Sequence, residues 1–250
     1  MASLVLSQAE LDIIDGHYLN TLQNLLKLYT KTPRSIVYFL AGSLPASAIL
    51  HQRQLGLLSM ICHPTSDPLN SHANYVLTHA QTCAKSWFTQ VRGICKLYGL
   101  PHPLQLLASP VPKARFKKLV TARVTEYCQN LFKAEALSLG SLSLFNQAFH
   151  SLTNPHPMWS AAGSNPHEVN NSIVLSRMIS GRYRTERLAR FWSENRTGYC
   201  QAYACEEIVG DLPHLLLHCP ALQPQRDSLY RKGSCIPRSA QSGPESSVLL

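Results

Sequence analysis

Four residues toward the carboxy-terminal end, Cys200, Cys205, His214 and Cys219, have the types and spacing of metal ligands, C-x4-C-x8-H-x4-C. Three soft thiols and one imidazole within twenty residues can close a tetrahedral zinc shell. Four protein ligands leave no open position for a water nucleophile, so such a zinc would be structural. Its binding would supply folding free energy that a short, core-poor segment lacks. His218 competes for the fourth position. At i+4 from His214 it shares a helix face with it, which would give a two-Cys, two-His shell. A thiolate is the softer ligand and favours Cys219. The competing reading is of ordinary cysteines around an amphipathic LPHLLLHC turn, since loose Cys/His spacings arise by chance.

A basic strip lies immediately upstream. Between Arg177 and Arg196 stand six arginines, Arg177, Arg182, Arg184, Arg187, Arg190 and Arg196, against two acids, Glu186 and Glu194. Arg184, Arg187 and Arg190 are three residues apart, on roughly one side of a short helix. Guanidinium forks suit phosphate oxygens. Tyr183, Phe191 and Trp192 interleave with them, and aromatic faces either stack unpaired bases or pack a helix onto the body. A second cluster, Lys113, Arg115, Lys117 and Lys118, stands at the start of another expected helix. Positive charge there opposes the helix dipole, and a bound phosphate would relieve the conflict. A solvated basic face is the alternative. The 250-residue chain carries a formal net charge of +9. That excess favours polyanionic partners, nucleic acid or an anionic surface.

The run SGRYRTERLARFWSENRTGYC, then C-x4-C, then GDLPHLLLHCPAL, resembles the carboxy-terminal tail of non-LTR (LINE-type) retrotransposon reverse transcriptases. Two earlier stretches are similar to the same polyproteins, HYLNTLQNLLKLYTKTPRSIVYFLAGSLPASAILHQRQLGLLSMICH and KSWFTQVRGICKLYGLPHPLQLL. Together they cover about residues 4 to 230. The resemblance implies a Cys-Cys-His-Cys zinc knuckle at Cys200, Cys205, His214 and Cys219, in a tail that holds template RNA or target DNA. It does not bring the enzyme with it. The family's polymerase needs adjacent aspartates for its metal ions, and no Asp-Asp pair occurs here. Some relatives place a nuclease after the knuckle, but only 31 residues follow Cys219, with Asp227 and Glu245 as their acids.

The expectation is therefore a noncatalytic nucleic-acid-binding fragment of a retrotransposon polyprotein. Its ligand would be RNA or single-stranded DNA, since knuckles favour unpaired bases. Two other readings stand beside it: a scaffold whose helices dock a partner such as a retrotransposon polymerase, and an unselected relic without activity.

These residues need elements to position them. Apolar residues recurring every three or four places predict a mainly α protein, an irregular helical array ending in a small zinc-knuckle-like module. Residues 1–107 read as a helical domain and 108–165 as a basic helix and a long loop. Residues 166–232 read as the arginine-rich helix plus the zinc module, and 233–250 as a disordered tail. The prolines at 101, 103, 110 and 112 suggest a hinge or linker over residues 101–112, with His102 a loop residue. Ser7-x-x-Glu10 is a capping box opening a helix with Leu11, Ile14, Tyr18, Leu22, Leu25 and Tyr29 on one face. Another buried face comprises Phe116, Leu119, Val120, Val124, Tyr127 and Leu131. Residues 70–80 also read as helical. Cys62, Cys83, Cys95 and Cys128 belong to apolar patterns and read as core. Thiols used this way suit a reducing compartment, nuclear or cytoplasmic. No run approaches the roughly 18 apolar residues of a spanning helix, so no membrane partner is expected.

Overall fold

The computed structural model describes residues 5–63, 71, 75, 86–139, 142, 151–183, 185, 197–202, 205 and 208–233. Among them the chain is mainly helical and contains no strand, only an isolated antiparallel bridge between Tyr199 and Val209. It divides into two compact units, Met1–Arg182 and Tyr183–Leu250.

In the first unit α1 spans Gln8–Leu25. Its capping box forms: the Ser7 hydroxyl accepts the Glu10 N–H, and the Glu10 carboxylate accepts the Ser7 N–H at 2.7 Å. The Ser7 hydroxyl and the Ser7 N–H, each donating to the Glu10 carboxylate at 2.7 Å, hold that carboxyl below its ordinary pKa. The helix stops before the apolar stripe does. Lys27 takes a left-handed φ of 53°, and the Leu28 N–H returns to the Gln23 carbonyl at 2.8 Å, which is Schellman geometry. The buried Gln23 amide donates to the carbonyls of Thr30 and Thr32, both at 3.2 Å, and secures the turn. Leu25, 71 % exposed, and Tyr29 thereby leave the expected buried face.

Helix α2 (Arg34–Ala41) has core on nearly every side, with Ile36, Val37, Tyr38, Phe39 and Leu40 all buried. It ends at Gly42, whose φ is +61°. Helix α3 (Ala46–Cys62) follows Pro45, which provides no cap. Asp15 of α1 supplies one across space, accepting the Ser47 N–H at 2.8 Å and the Ser47 hydroxyl at 2.5 Å. The expected helix at 70–80 lies outside the described residues, except that Ser71 and Tyr75 are helical. Helix α4 (Trp87–Leu97) buries Val91, Ile94 and Cys95.

The proline cluster contains a short helix, α5 (Pro103–Ala108). Pro103 stands in its first turn, where a missing N–H costs nothing. His102 caps it, its Nδ1 accepting the Leu104 N–H at 3.3 Å. Helix α6 (Lys113–Ser138) then packs on α2 and α3, so the expected boundary at 107/108 does not separate units. Its buried residues are Phe116, Val120, Val124, Cys128, Phe132 and Ala136. Steps of four follow an i+4 ridge and drift around the helix, because four residues exceed one turn. Tyr127 and Leu131 are left exposed at 38 % and 43 %. Phe132 instead stacks on Tyr38, with ring centroids 5.0 Å apart, and meets Phe39 edge-on.

The long loop expected in the later part of 108–165 contains another short helix, α7 (Pro157–Ala162), capped by His156. Trp159 pins it, donating from Nε1 to the Leu40 carbonyl at 3.2 Å. Helix α8 (Pro166–Ile179) buries Ser172 and Ser176 against α7. Ser172 donates to the Met158 carbonyl at 3.1 Å. Two hydrophobic clusters fill this unit: one between α1, α2, α3, α4, α5 and α6, the other around Ile36, Val37, Leu40, Ala136 and Met158. Cys62, Cys95 and Cys128 lie buried in the first; Cys83 lies outside the described residues.

Candidate metal centre

The second unit builds its site from short pieces. The Tyr199–Val209 bridge, with Cys200 N–H donating to the Ile208 carbonyl at 2.8 Å, folds Cys200 and Cys205 into one small loop. Gly198, at φ 85°, makes the entry turn and its carbonyl accepts the Gly210 N–H at 3.0 Å. Cys205 closes a tight turn onto the Ala202 carbonyl at 2.8 Å. Asp211 then starts a helical turn, its carboxylate accepting the His214 N–H at 2.9 Å.

That turn is π-helical from His214 to His218, and the Cys219 N–H donates to the His214 carbonyl at 2.7 Å. In an α-helix His214 and Cys219 would face about 140° apart. The wider i+5 turn brings them to one side. His218, which an α-helix would place beside His214, is exposed instead. Pro220–Leu222 forms a 3-10 turn, and α9 (Gln223–Gly233) follows.

The ligand atoms of Cys200, Cys205, His214 and Cys219 all lie within 4.8 Å of one another. The Cys219 sulfur is 3.9 Å from that of Cys200 and 3.7 Å from that of Cys205. Two thiolates at tetrahedral positions with Zn–S bonds of about 2.3 Å would be separated by about 3.8 Å. Cys205, His214 and Cys219 are buried. The buried Nε2 of His214 has no hydrogen-bond partner. A buried, unpartnered nitrogen on a histidine whose ring reaches three thiols is a group that a cation would satisfy. Burial pushes the Cys205 thiol up to about 11, its hydrogen bonds to Cys219 and Cys200 adding to the effect. Burial pushes Cys219 up as well, but hydrogen bonds from the Cys205 thiol and the Ala221 N–H outweigh it and leave Cys219 below its ordinary value. A bound cation would replace the shared protons. The cluster can hold a metal ion, and its donor set is compatible with zinc.

Sequence reasoning missed Arg226. The residue is 9 % exposed, and its guanidinium donates to the Cys219 carbonyl at 2.6 Å, to Gln223 Oε1 at 2.7 Å and to the Leu215 carbonyl at 3.5 Å. A lone arginine in the segment RDSLYRK carries no signal of this, because its acceptors come together only once the π-turn forms.

The candidate nucleic-acid residues fare differently. Lys113, Arg115, Lys117 and Lys118 are exposed on the first turns of α6, a helix start with no acid and no side-chain cap. Lys113 and Lys117, with Arg53 of α3, rim a groove of about 370 Å³ that no carboxylate lines among the described residues. Arg182 is half-buried and donates to the Lys31 carbonyl at 2.8 Å, while Arg177 donates to the Lys27 carbonyl at 2.9 and 3.0 Å and lies over the Tyr29 ring. These two arginines staple α8 to the turn after α1. Arg184, Arg187, Arg190 and Arg196 lie outside the described residues.

Fold and site together define a mainly helical chain with a Cys3His cluster in its second unit. Compared with protein-family models, with curated proteins and with solved structures, the chain matches none. No helix among the described residues is long and apolar enough to cross a membrane.

Proposed function

We propose that Cys200, Cys205, His214 and Cys219 hold one structural zinc ion, and that the chain is a noncatalytic nucleic-acid-binding protein derived from a non-LTR retrotransposon reverse transcriptase, with RNA as its preferred ligand. The convergence of the four donor atoms within 4.8 Å carries the reading. Four protein ligands saturate a tetrahedral zinc, which then organises the chain and activates no water. The net charge of +9 and the exposed cations at the start of α6 support a polyanionic partner. Arg184, Arg187, Arg190 and Arg196, with the interleaved aromatics upstream of the cluster, are residue types that suit phosphates and unpaired bases.

Metal analysis of the purified chain should find about one zinc per molecule; Cys219→Ser should lose it and His218→Ala should keep it. Zinc-loaded protein should bind an unstructured single-stranded RNA, by fluorescence anisotropy, more tightly than a duplex DNA of equal length. Arg184→Ala combined with Arg187→Ala should weaken RNA binding several-fold with an unchanged far-UV spectrum. Zinc-replete protein that ignores RNA at low salt would overturn the nucleic-acid reading in favour of a scaffold.

A further inference from the structure

We infer that Arg226 is a positioning residue of the metal centre, acting through the backbone of Cys219; the inference rests on the reading of the cluster as a metal site. Three observations lead to it. Its guanidinium nitrogen lies 2.6 Å from the Cys219 carbonyl, so one hydrogen bond separates it from a ligand residue. Its other amine nitrogen reaches Leu215, inside the π-turn that sets His214 and Cys219 on one side. One planar fork thus spans the end of the turn and holds the unusual i+5 geometry on which convergence of the two ligands depends.

The second observation is charge. Arg226 is buried, and among the described residues no carboxylate is paired with it. A buried guanidinium needs a compensating charge. Three thiolates around a divalent ion leave the centre net negative, and Arg226 is fixed one residue's length from it. The third observation concerns α9. Gln223, Pro224, Gln225, Asp227, Ser228 and Leu229 are all exposed, with Leu229 at 68 %. Arg226 is the side chain by which this stretch of helix is buried in its unit, so the contact that steadies Cys219 also anchors α9.

The test is a competition titration of Zn2+ against Co2+ on the full chain, comparing wild type, Arg226→Met and Arg226→Lys. Met keeps the aliphatic volume and removes both donors and charge. Lys keeps the charge but not the fork. Loss of an outer-shell partner characteristically weakens metal affinity about 10- to 100-fold, and that loss is expected for Arg226→Met. Arg226→Lys should fall between Met and wild type, and the visible spectrum of the Co2+ form should shift in Met. Affinity and spectrum of Arg226→Met both within two-fold and within error of wild type would overturn the inference. If Arg226→Met does not yield soluble protein, the Lys variant decides, an unchanged affinity overturning it. Wild type that takes up neither ion sinks the metal reading itself, a result distinct from equal binding by wild type and variant.

Discussion

The thiols of this chain divide by their surroundings. Cys62, Cys95 and Cys128 sit among apolar side chains, where burial pushes them up to about 11, 12 and 11. They are protonated at neutral pH and shielded. Iodoacetamide at pH 8 should leave all three unmodified in the native protein, and mass spectrometry should find them labelled only after denaturation. His51 shows the opposite sign of the same effect. Burial lowers it below the ordinary histidine value of 6.5, with Asp15 opposing, and its Nδ1 lies 2.8 Å from the Tyr98 hydroxyl. Burial also lowers His156. As pH falls the unfolded chain takes these protons first. The stability that neutral His51 contributes is therefore complete above the unfolded value and is lost as pH drops beneath it. The urea midpoint should fall between pH 7 and pH 5, and His51→Gln should show a smaller fall. An identical pH profile in the variant would exclude His51 as the source.

At the scale of elements, close approaches decide more than propensities. A Cβ on Gly42 would lie 2.0 to 2.2 Å from the backbone of Asn154 and Pro155, at a φ of +61°. Gly99 has nearly the same φ, +60°, but nothing within 4 Å. Gly99→Ala should therefore cost about 1 kcal/mol of left-handed strain. Gly42→Ala must also displace the segment that carries α7, and should cost more than about 4 kcal/mol by urea denaturation. Equal costs would remove the clash as an explanation. Asp15→Ala takes the cap from α3 and should cost about 1 kcal/mol. Part of this scale was legible: Ser7 and Glu10 announced their capping box. The phase of the α6 stripe was not, since Tyr127 and Leu131 have the right spacing from Val120 and Val124 and lose their burial to Phe132 and Ala136 only when α2 is packed opposite. The caps His102 and His156 were also hidden, because a histidine before a proline reads equally well as loop.

For the whole molecule, the two units draw on different forces. The first buries two clusters of large apolar side chains. In the second, the buried residues described are Thr185, Gly198, Cys205, Gly210, Leu212, His214, Cys219 and Arg226, too few apolar groups to offset the entropy of ordering the segment. Chelation of zinc should accelerate hydrogen exchange across 197–233 and leave the amides of α2, α3 and α6 protected. Equal loss of protection in both would show that the units do not separate energetically. If the chain binds RNA as proposed, its affinity should fall with salt at a slope of roughly −0.7 per phosphate neutralised. Cysteines and histidines at metal-ligand spacing, a basic balance and a helical period can all be read along the chain, because each is local in sequence. Which four of five candidates converge cannot, because Cys219 outranks His218 through a π-turn whose width is set by packing and by Arg226. Arg177 and Arg182 likewise read as part of a ligand strip, and only the fold hands their guanidinium groups to the carbonyls of Lys27 and Lys31, about 150 residues away, since a hydrogen-bonding group is claimed by whichever acceptor the folded backbone brings within reach.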